Sequence, residues 1–252
     1  MRYLKTFAAA SLVVATACGT KEAPGPLEPT DATGRVRFVN VITDTTRGRV
    51  NAILEGVPFG VNLTYGQSTP ATLPAPSTAN YSAILVGSRT MVLKRTADTT
   101  VTVASVNFSV DAGTDYTVYA TGGASASAVT SLVIADANPD IPSTGTRLRV
   151  VNLSPTSVPV DVFVTAPNAD LSTATPTFAN LTYRAASSYA TPAPGTYQVR
   201  AVPAGTAAAA RAAAVSVSLA SLALPGGAGR TVVIADRNIG GAPLTTFVLT
   251  DR

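Results

Sequence analysis

The chain repeats itself, and that repeat limits what it can fold into more than any other feature. Arg35-Val36-Arg37-Phe38-Val39-Asn40 recurs as Arg147-Leu148-Arg149-Val150-Val151-Asn152. Val50-Asn51-Ala52-Ile53-Leu54 recurs as Val160-Asp161-Val162-Phe163-Val164, and Asn62-Leu63-Thr64-Tyr65 recurs unchanged as Asn180-Leu181-Thr182-Tyr183. Tyr81 aligns with Tyr197, Val101 and Val103 with Val215 and Val217, and residues 130–136 with 245–251. The order never inverts, and the offset drifts only as loops of differing length require. The string Val233-Ile234-Ala235-Asp236 also resembles Val133-Ile134-Ala135-Asp136, but accepting that match breaks the order. It fits opposite residues 116–120 instead, so Asp236 ends the strand before the last and Asp136 corresponds to Asp251.

The repeat predicts two domains, 34–137 and 145–252, joined by a linker at 138–144 that carries Pro139 and Pro142. Within each, runs rich in Val, Thr, Ile, Tyr and Phe are punctuated by Gly, Pro, Asn and Asp at roughly ten-residue intervals. Val36 and Phe38 alternate with polar neighbours, as half-buried strands do. About seven strands in a domain of this size predicts a sandwich. The expectation is therefore an all-β chain of two tandem immunoglobulin-like β-sandwich domains. One stretch competes with it: residues 204–214 contain AAAARAAA, the best local helix former present. Its repeat partner leads into a strand, so both a loop or strand start and a short helix stay open there.

The N-terminus reads as an address. Arg2 and Lys5 precede the apolar run 7–14, which is too short to span a bilayer. The run ends in Ala15-Thr16-Ala17-Cys18. Small residues before a Cys in this setting resemble the lipobox of bacterial lipoproteins, although Ala15 stands where Leu is usual. The resemblance implies cleavage of a signal peptide, 1–17, and lipidation of Cys18. Gly19 after it, in place of Asp, implies the outer membrane. An ordinary secretory signal that leaves Cys18 as a free thiol is the other reading. Residues 18–33, rich in Pro, Gly and charge, read as a lipid-anchored flexible tether.

Composition narrows the chemistry. The chain has 252 residues, no His, no Trp and one Cys. No Ser-His-Asp triad, Cys-His pair, imidazole metal ligand or intrachain disulfide can be built from that set. Of 18 basic side chains, Arg2 and Lys5 leave with the signal, against 14 acidic ones, so no nucleic-acid partner is expected. The carboxylates that could be nominated for chemistry or a metal are contradicted by their repeat partners. Asp161 corresponds to Asn51, and the Asp111–Asp115 turn corresponds to the uncharged Gly226-Gly227-Ala228-Gly229. A general acid or base does not survive exchange for an amide, whereas a hydrogen-bonding role does. Arg37 and Arg149, which flank these strands, are candidate partners for them. Lys94 has no spaced Ser motif beside it. Tyr65, Tyr183, Tyr81 and Tyr197 recur in both copies, which favours packing over a sugar-stacking face.

The sequence R-x-R-x-V-N, then V-D-V-F-V, Asn-Leu-Thr-Tyr, Pro194-Gly195-Thr196-Tyr197 and a Gly-rich turn into T-V-V-I-A resembles the family called domain of unknown function 4397. A later motif, residues 113–118, fits as well. The resemblance covers most of the mature chain. It implies tandem β-sandwiches behind a lipoprotein signal, and it supplies no activity, catalytic residue or cofactor. The expected function is a non-enzymatic cell-envelope lipoprotein whose modules act as a spacer or protein-interaction unit. No catalytic residue, cofactor or metal is expected. Expected partners are the membrane, through the anchor at Cys18, and an envelope protein or glycan. The alternative is a module that binds extracellular polysaccharide or another polymer.

Overall fold

The computed structural model describes residues 32–44, 47–70, 80–123 and 128–251. The signal segment 1–17, Cys18 and the tether up to residue 31 lie outside the described residues. The first half contains β1 (Thr33–Ile42), β2 (Val50–Leu54), β3 (Val57–Leu63), β4 (Ser68–Thr69), β5 (Ser82–Leu85), β6 (Gly87–Arg95), β7 (Asp98–Val110), β8 (Asp115–Gly122) and β9 (Thr130–Asp136). The second contains β10 (Arg147–Asn152), β11 (Val160–Thr165), β12 (Phe178–Leu181), β13 (Ala185–Ala186), β14 (Gly195–Pro203), β15 (Val217–Leu224), β16 (Gly229–Ala235) and β17 (Thr245–Thr250). No helix among the described residues is long and apolar enough to cross a membrane.

The strands form four sheets, two per half. In the first half an inner sheet runs β4-β1-β8-β9, with β5 also pairing β1, and an outer sheet runs β3-β2-β6-β7. The second half follows the same plan, with an inner sheet β13-β10-β16-β17 and an outer sheet β12-β11-β14-β15. The chain is thus all-β and forms two sandwiches. Their strand order differs from the immunoglobulin one, in which the first two strands share a sheet. Here β1 and β2 lie in opposing sheets, and β1 pairs in parallel with β8, as β10 does with β16. The physical reason is the turn after Ile42, which carries the chain across to the facing sheet where a hairpin would return it to the same one. Thr43 donates its backbone N–H to Gly122 O, which closes the end of the parallel pair.

Each sandwich has its own core. Val36, Phe38, Met91, Leu93 and Val118 fill the first; Leu148, Val150, Val162, Val199 and Val232 fill the second. A third cluster lies between the two inner sheets and draws Val39, Val41 and Tyr119 from one half and Val151, Leu153 and Val233 from the other. The layers therefore stack outer, inner, inner, outer. In β1, Phe38 points into its own sandwich and Val39 into the contact with its neighbour, because successive side chains of a strand face opposite ways. The polar alternation that predicts half-buried strands is misleading here: β1, β8, β10 and β16 are buried almost throughout. Both sandwiches belong to one compact unit, Asp31–Arg252.

The connection between the halves is fastened at both ends. Asn138 Nδ2 donates to Asp115 Oδ2 at 2.7 Å, and Arg147 donates to Ala137 O. Gly227 N donates to Gly145 O at 2.8 Å, and Gly145 N to Pro142 O at 2.8 Å. Residues 204–214 form a loop with a single 3-10 turn, Ala208–Ala210. The helix alternative fails there because tertiary contacts outweigh alanine's propensity. Arg211 donates to Leu171 O at 3.1 Å and Ala174 O at 2.7 Å while lying 5.1 Å over the Phe163 ring.

Candidate functional site

Among the described residues, a buried cluster of two arginines and two aspartates sits at one end of the contact between the inner sheets. Parallel pairing sets Arg37 beside Thr117 and Arg149 beside Thr231. Both arginines point out of their own sandwich toward the other. Arg37 Nη2 donates to Asp251 Oδ1 at 2.9 Å, and Arg149 Nη2 donates to Asp136 Oδ1. Thr117 and Tyr81 donate to Asp136 Oδ2, the latter at 2.8 Å, and Thr231 donates to Asp251 Oδ2 at 2.7 Å. The Tyr81 ring lies 4.5 Å from the Arg37 guanidinium and the Tyr189 ring 4.9 Å from that of Arg149. All four charges are withdrawn from water: Arg37 and Arg149 are 2% exposed, Asp136 3% and Asp251 1%.

The electrostatics follow from that enclosure. Burial opposes the charge on Arg37, but Tyr81, Tyr119, Asp251 and Asp136 outweigh it and hold the guanidinium above its ordinary value. Arg149 is raised in the same way: burial opposes its charge, and Asp136 is the first group to outweigh it. Burial pushes the Tyr119 hydroxyl up to about 12, against the field of Arg37 and Arg149. Tyr81 and Tyr189 are pushed higher still by burial. Two guanidinium groups match two carboxylates, and every carboxylate oxygen has a donor. Such a cluster holds the two sandwich surfaces together.

The residues nominated from sequence fall elsewhere. Asp161 accepts from Asn180 N at 2.8 Å and Gly205 N at 3.1 Å, while Asn51 accepts from Asn62 N at 2.8 Å. Asn62 and Asn180 adopt left-handed φ of 57° and 53°, so both polar residues brace the same strained turn. Arg37 and Arg149 are not their partners: the inner-sheet strands aim both arginines at the opposite sandwich. Asp111 accepts from Tyr116 OH at 2.9 Å in a turn that ends in a 2.6 Å Arg35–Asp115 ion pair. Lys94 donates to Thr102 Oγ1 at 2.8 Å. The counterpart of Tyr81 is Tyr189, not Tyr197. Ser82 pairs with Val36 and Ala190 bridges to Leu148, so the residue before each occupies the same place. Val133 pairs with Val118 and Val248 with Val232, which makes Val133 and Val248 equivalent. Among the described residues no group of three or more Asp, Glu, Cys or His could hold a metal ion.

A surface hollow of about 530 Å³ opens on the first sandwich, lined chiefly by Leu54, Val57, Phe59, Ile84 and Leu85. Its two charges are engaged at its wall, Glu55 with Thr90 N and Arg89 with the carbonyls of Leu85 and Val86. Sequence reasoning missed Arg37, Asp136, Arg149 and Asp251 as one group. The signal was present: each is a charge kept identically in both copies inside or at the end of an apolar strand.

Fold and site together define a pair of β-sandwiches fused through a closed set of buried charges. The profile of the family described as Domain of unknown function (DUF4397) matches residues 34–163, just over half of the chain, and the chain belongs to that family. The match covers the first sandwich and continues through β10 into β11. No curated protein matches the chain.

Proposed function

We propose that the chain is a non-enzymatic cell-envelope lipoprotein, built from tandem copies of the family domain and anchored in the outer membrane through a lipid on Cys18. In this reading the fused sandwiches form a stiff spacer that offers sheet edges to envelope proteins. The observation that carries it is the closed charge cluster, which spends two buried carboxylates, Asp136 and Asp251, on joining the two halves. A second feature supports the contact role. β7 is an edge strand of 13 residues whose one charged side chain is Asp98. Edge strands are commonly guarded by Lys, Pro or short length, and an unguarded one pairs readily with another strand. The polymer-binding alternative calls for a row of exposed aromatics, and the described tyrosines are all buried or half-buried.

The test places a photo-crosslinking residue at Ser105 of β7 in cells and fractionates the envelope. A protein adduct of discrete mass, with release of the chain to the soluble fraction on Cys18→Ser, is the expected result. Retention of the Cys18→Ser chain at the membrane overturns the anchor, and adducts with glycan alone overturn the protein-contact role. Turnover of an ester or glycan substrate that is lost on changing one Asp or Glu overturns the non-enzymatic reading.

A further inference from the structure

The contact between the sandwiches has the symmetry of a homodimer. The strand registers equate Arg37 with Arg149, Thr117 with Thr231, and Asp136 with Asp251. Each arginine crosses to the other half's aspartate, so residue i meets j while j meets i, which is the signature of an isologous two-fold interface. The apolar part follows the same rule: Val39 and Val41 stand where Val151 and Leu153 stand, and Ile134 where Leu249 stands. The rim keeps the rule only in part: the equivalent Tyr65 and Tyr183 both reach across, but Tyr65 donates to Asp236 O, whose counterpart is Gly122, while Tyr183 lies 3.4 Å from Thr130 Oγ1. A single sandwich therefore carries both the donor and the acceptor of every cross-contact in the charge cluster. The main asymmetry is one of size, Tyr119 against Val233, and it ranks the mixed pair first.

We infer that the inner face of each sandwich is a self-complementary docking surface whose partner is a second copy of itself. The first sandwich of one chain pairs with the first sandwich of another whenever the covalent link no longer dictates the mixed pair. In that homotypic pair Arg37 meets the other copy's Asp136 twice over. The partner class is thus any chain that presents this face, a second copy of the present one first among them. This holds whether or not the envelope role is correct, since it rests on the contact geometry alone.

The test cuts the intact, folded chain. A protease site is placed in residues 138–144, and two preparations, one tagged at its first sandwich, are cleaved, mixed and captured on the tag. Recovery of untagged first sandwich is expected alongside the second. Recovery of the second sandwich alone, or of neither, overturns the inference. Asp136→Ala gives a sharper reading, because it removes one ion pair from the mixed pair and two from the homotypic one. Loss of one partner of a buried interfacial pair weakens association on the order of 30-fold, so the homotypic pair should weaken on the order of 1,000-fold. Equal losses in both pairs overturn it. Should the cleaved chain unfold, deletion of residues 139–143 in the uncut chain, with a photo-crosslinking residue at Val39, serves instead: a folded particle of twice the mass whose crosslinks join first sandwich to first sandwich is expected, and a folded monomer, or crosslinks from first to second sandwich alone, overturns the inference.

Discussion

Arg37 shows how a charge becomes structural. Its guanidinium is buried beside Asp251 at 2.9 Å, with Asp136 at 3.8 Å, and Tyr81 lies across its face. Removing Asp251 leaves a buried cation short of its closest carboxylate, which costs far more than the pair itself contributes. Asp251→Ala is therefore expected to lower the unfolding free energy by about 3–5 kcal/mol in denaturant titration. Asp161→Asn provides the contrast. One of its two backbone donors keeps an acceptor, as at Asn51, so the loss should be about 1 kcal/mol. Tyr119 sets a pH response. Its hydroxyl is held neutral up to about 12 when folded, against 10.0 for the free group. A raised folded value stabilises the fold fully below pH 10 and loses that contribution as pH rises toward 12. Alkaline unfolding across that window, shallower in Tyr119→Phe, is the expected result by circular dichroism. The repeated charges were visible in the sequence, but their pairing was not: Arg37 and Asp251 lie 214 residues apart, and strand alternation alone gives an outward side chain to water.

At the scale of elements, the strands were legible because Val, Thr and Ile runs end at Gly, Pro and Asn wherever the chain turns. The double burial of β1 and β10 was hidden, since a strand sandwiched between two layers and one facing water differ in what covers them, not in local preference. Strand order was hidden for a related reason. Parallel pairing of β1 with β8 joins segments about 80 residues apart, and neither carries a mark of the other. Residues 204–214 mislead in the opposite sense, with strong helix propensity overruled by the contacts of Arg211. The connection packs against the turn before β16 so closely that a Cβ on Gly226 would fall 1.7 Å from Ser143 O. That atom is backbone and cannot swing aside. Gly226→Ala is expected to cost about 1–3 kcal/mol and to loosen residues 141–145, read as faster amide exchange there.

For the whole molecule the question is how many units unfold. Repeat order predicts two independent domains, and each sandwich does own a core large enough for a domain of its size. The contact between inner sheets adds a shared cluster, and its shortest ion pairs, Arg37–Asp251 and Arg149–Asp136, exist only while both halves are folded and docked. Unfolding one half would expose Val39, Val41 and Tyr119, or their counterparts, and strand two buried charges on the survivor. The intact chain is thus expected to melt in one cooperative transition, with calorimetric and van't Hoff enthalpies in agreement. Uncoupling the halves should leave both private cores untouched. Val39→Asp with Leu153→Asp places a carboxylate on each inner face, away from either core, and should split the melt into two transitions at lower temperature. Two transitions in the unaltered chain would show that the shared cluster is too weak to bind the sandwiches into one unit. A single lowered transition in the double variant would show that the coupling runs through the connection at 138–144, where Asn138, Gly145 and Gly227 tie the halves together.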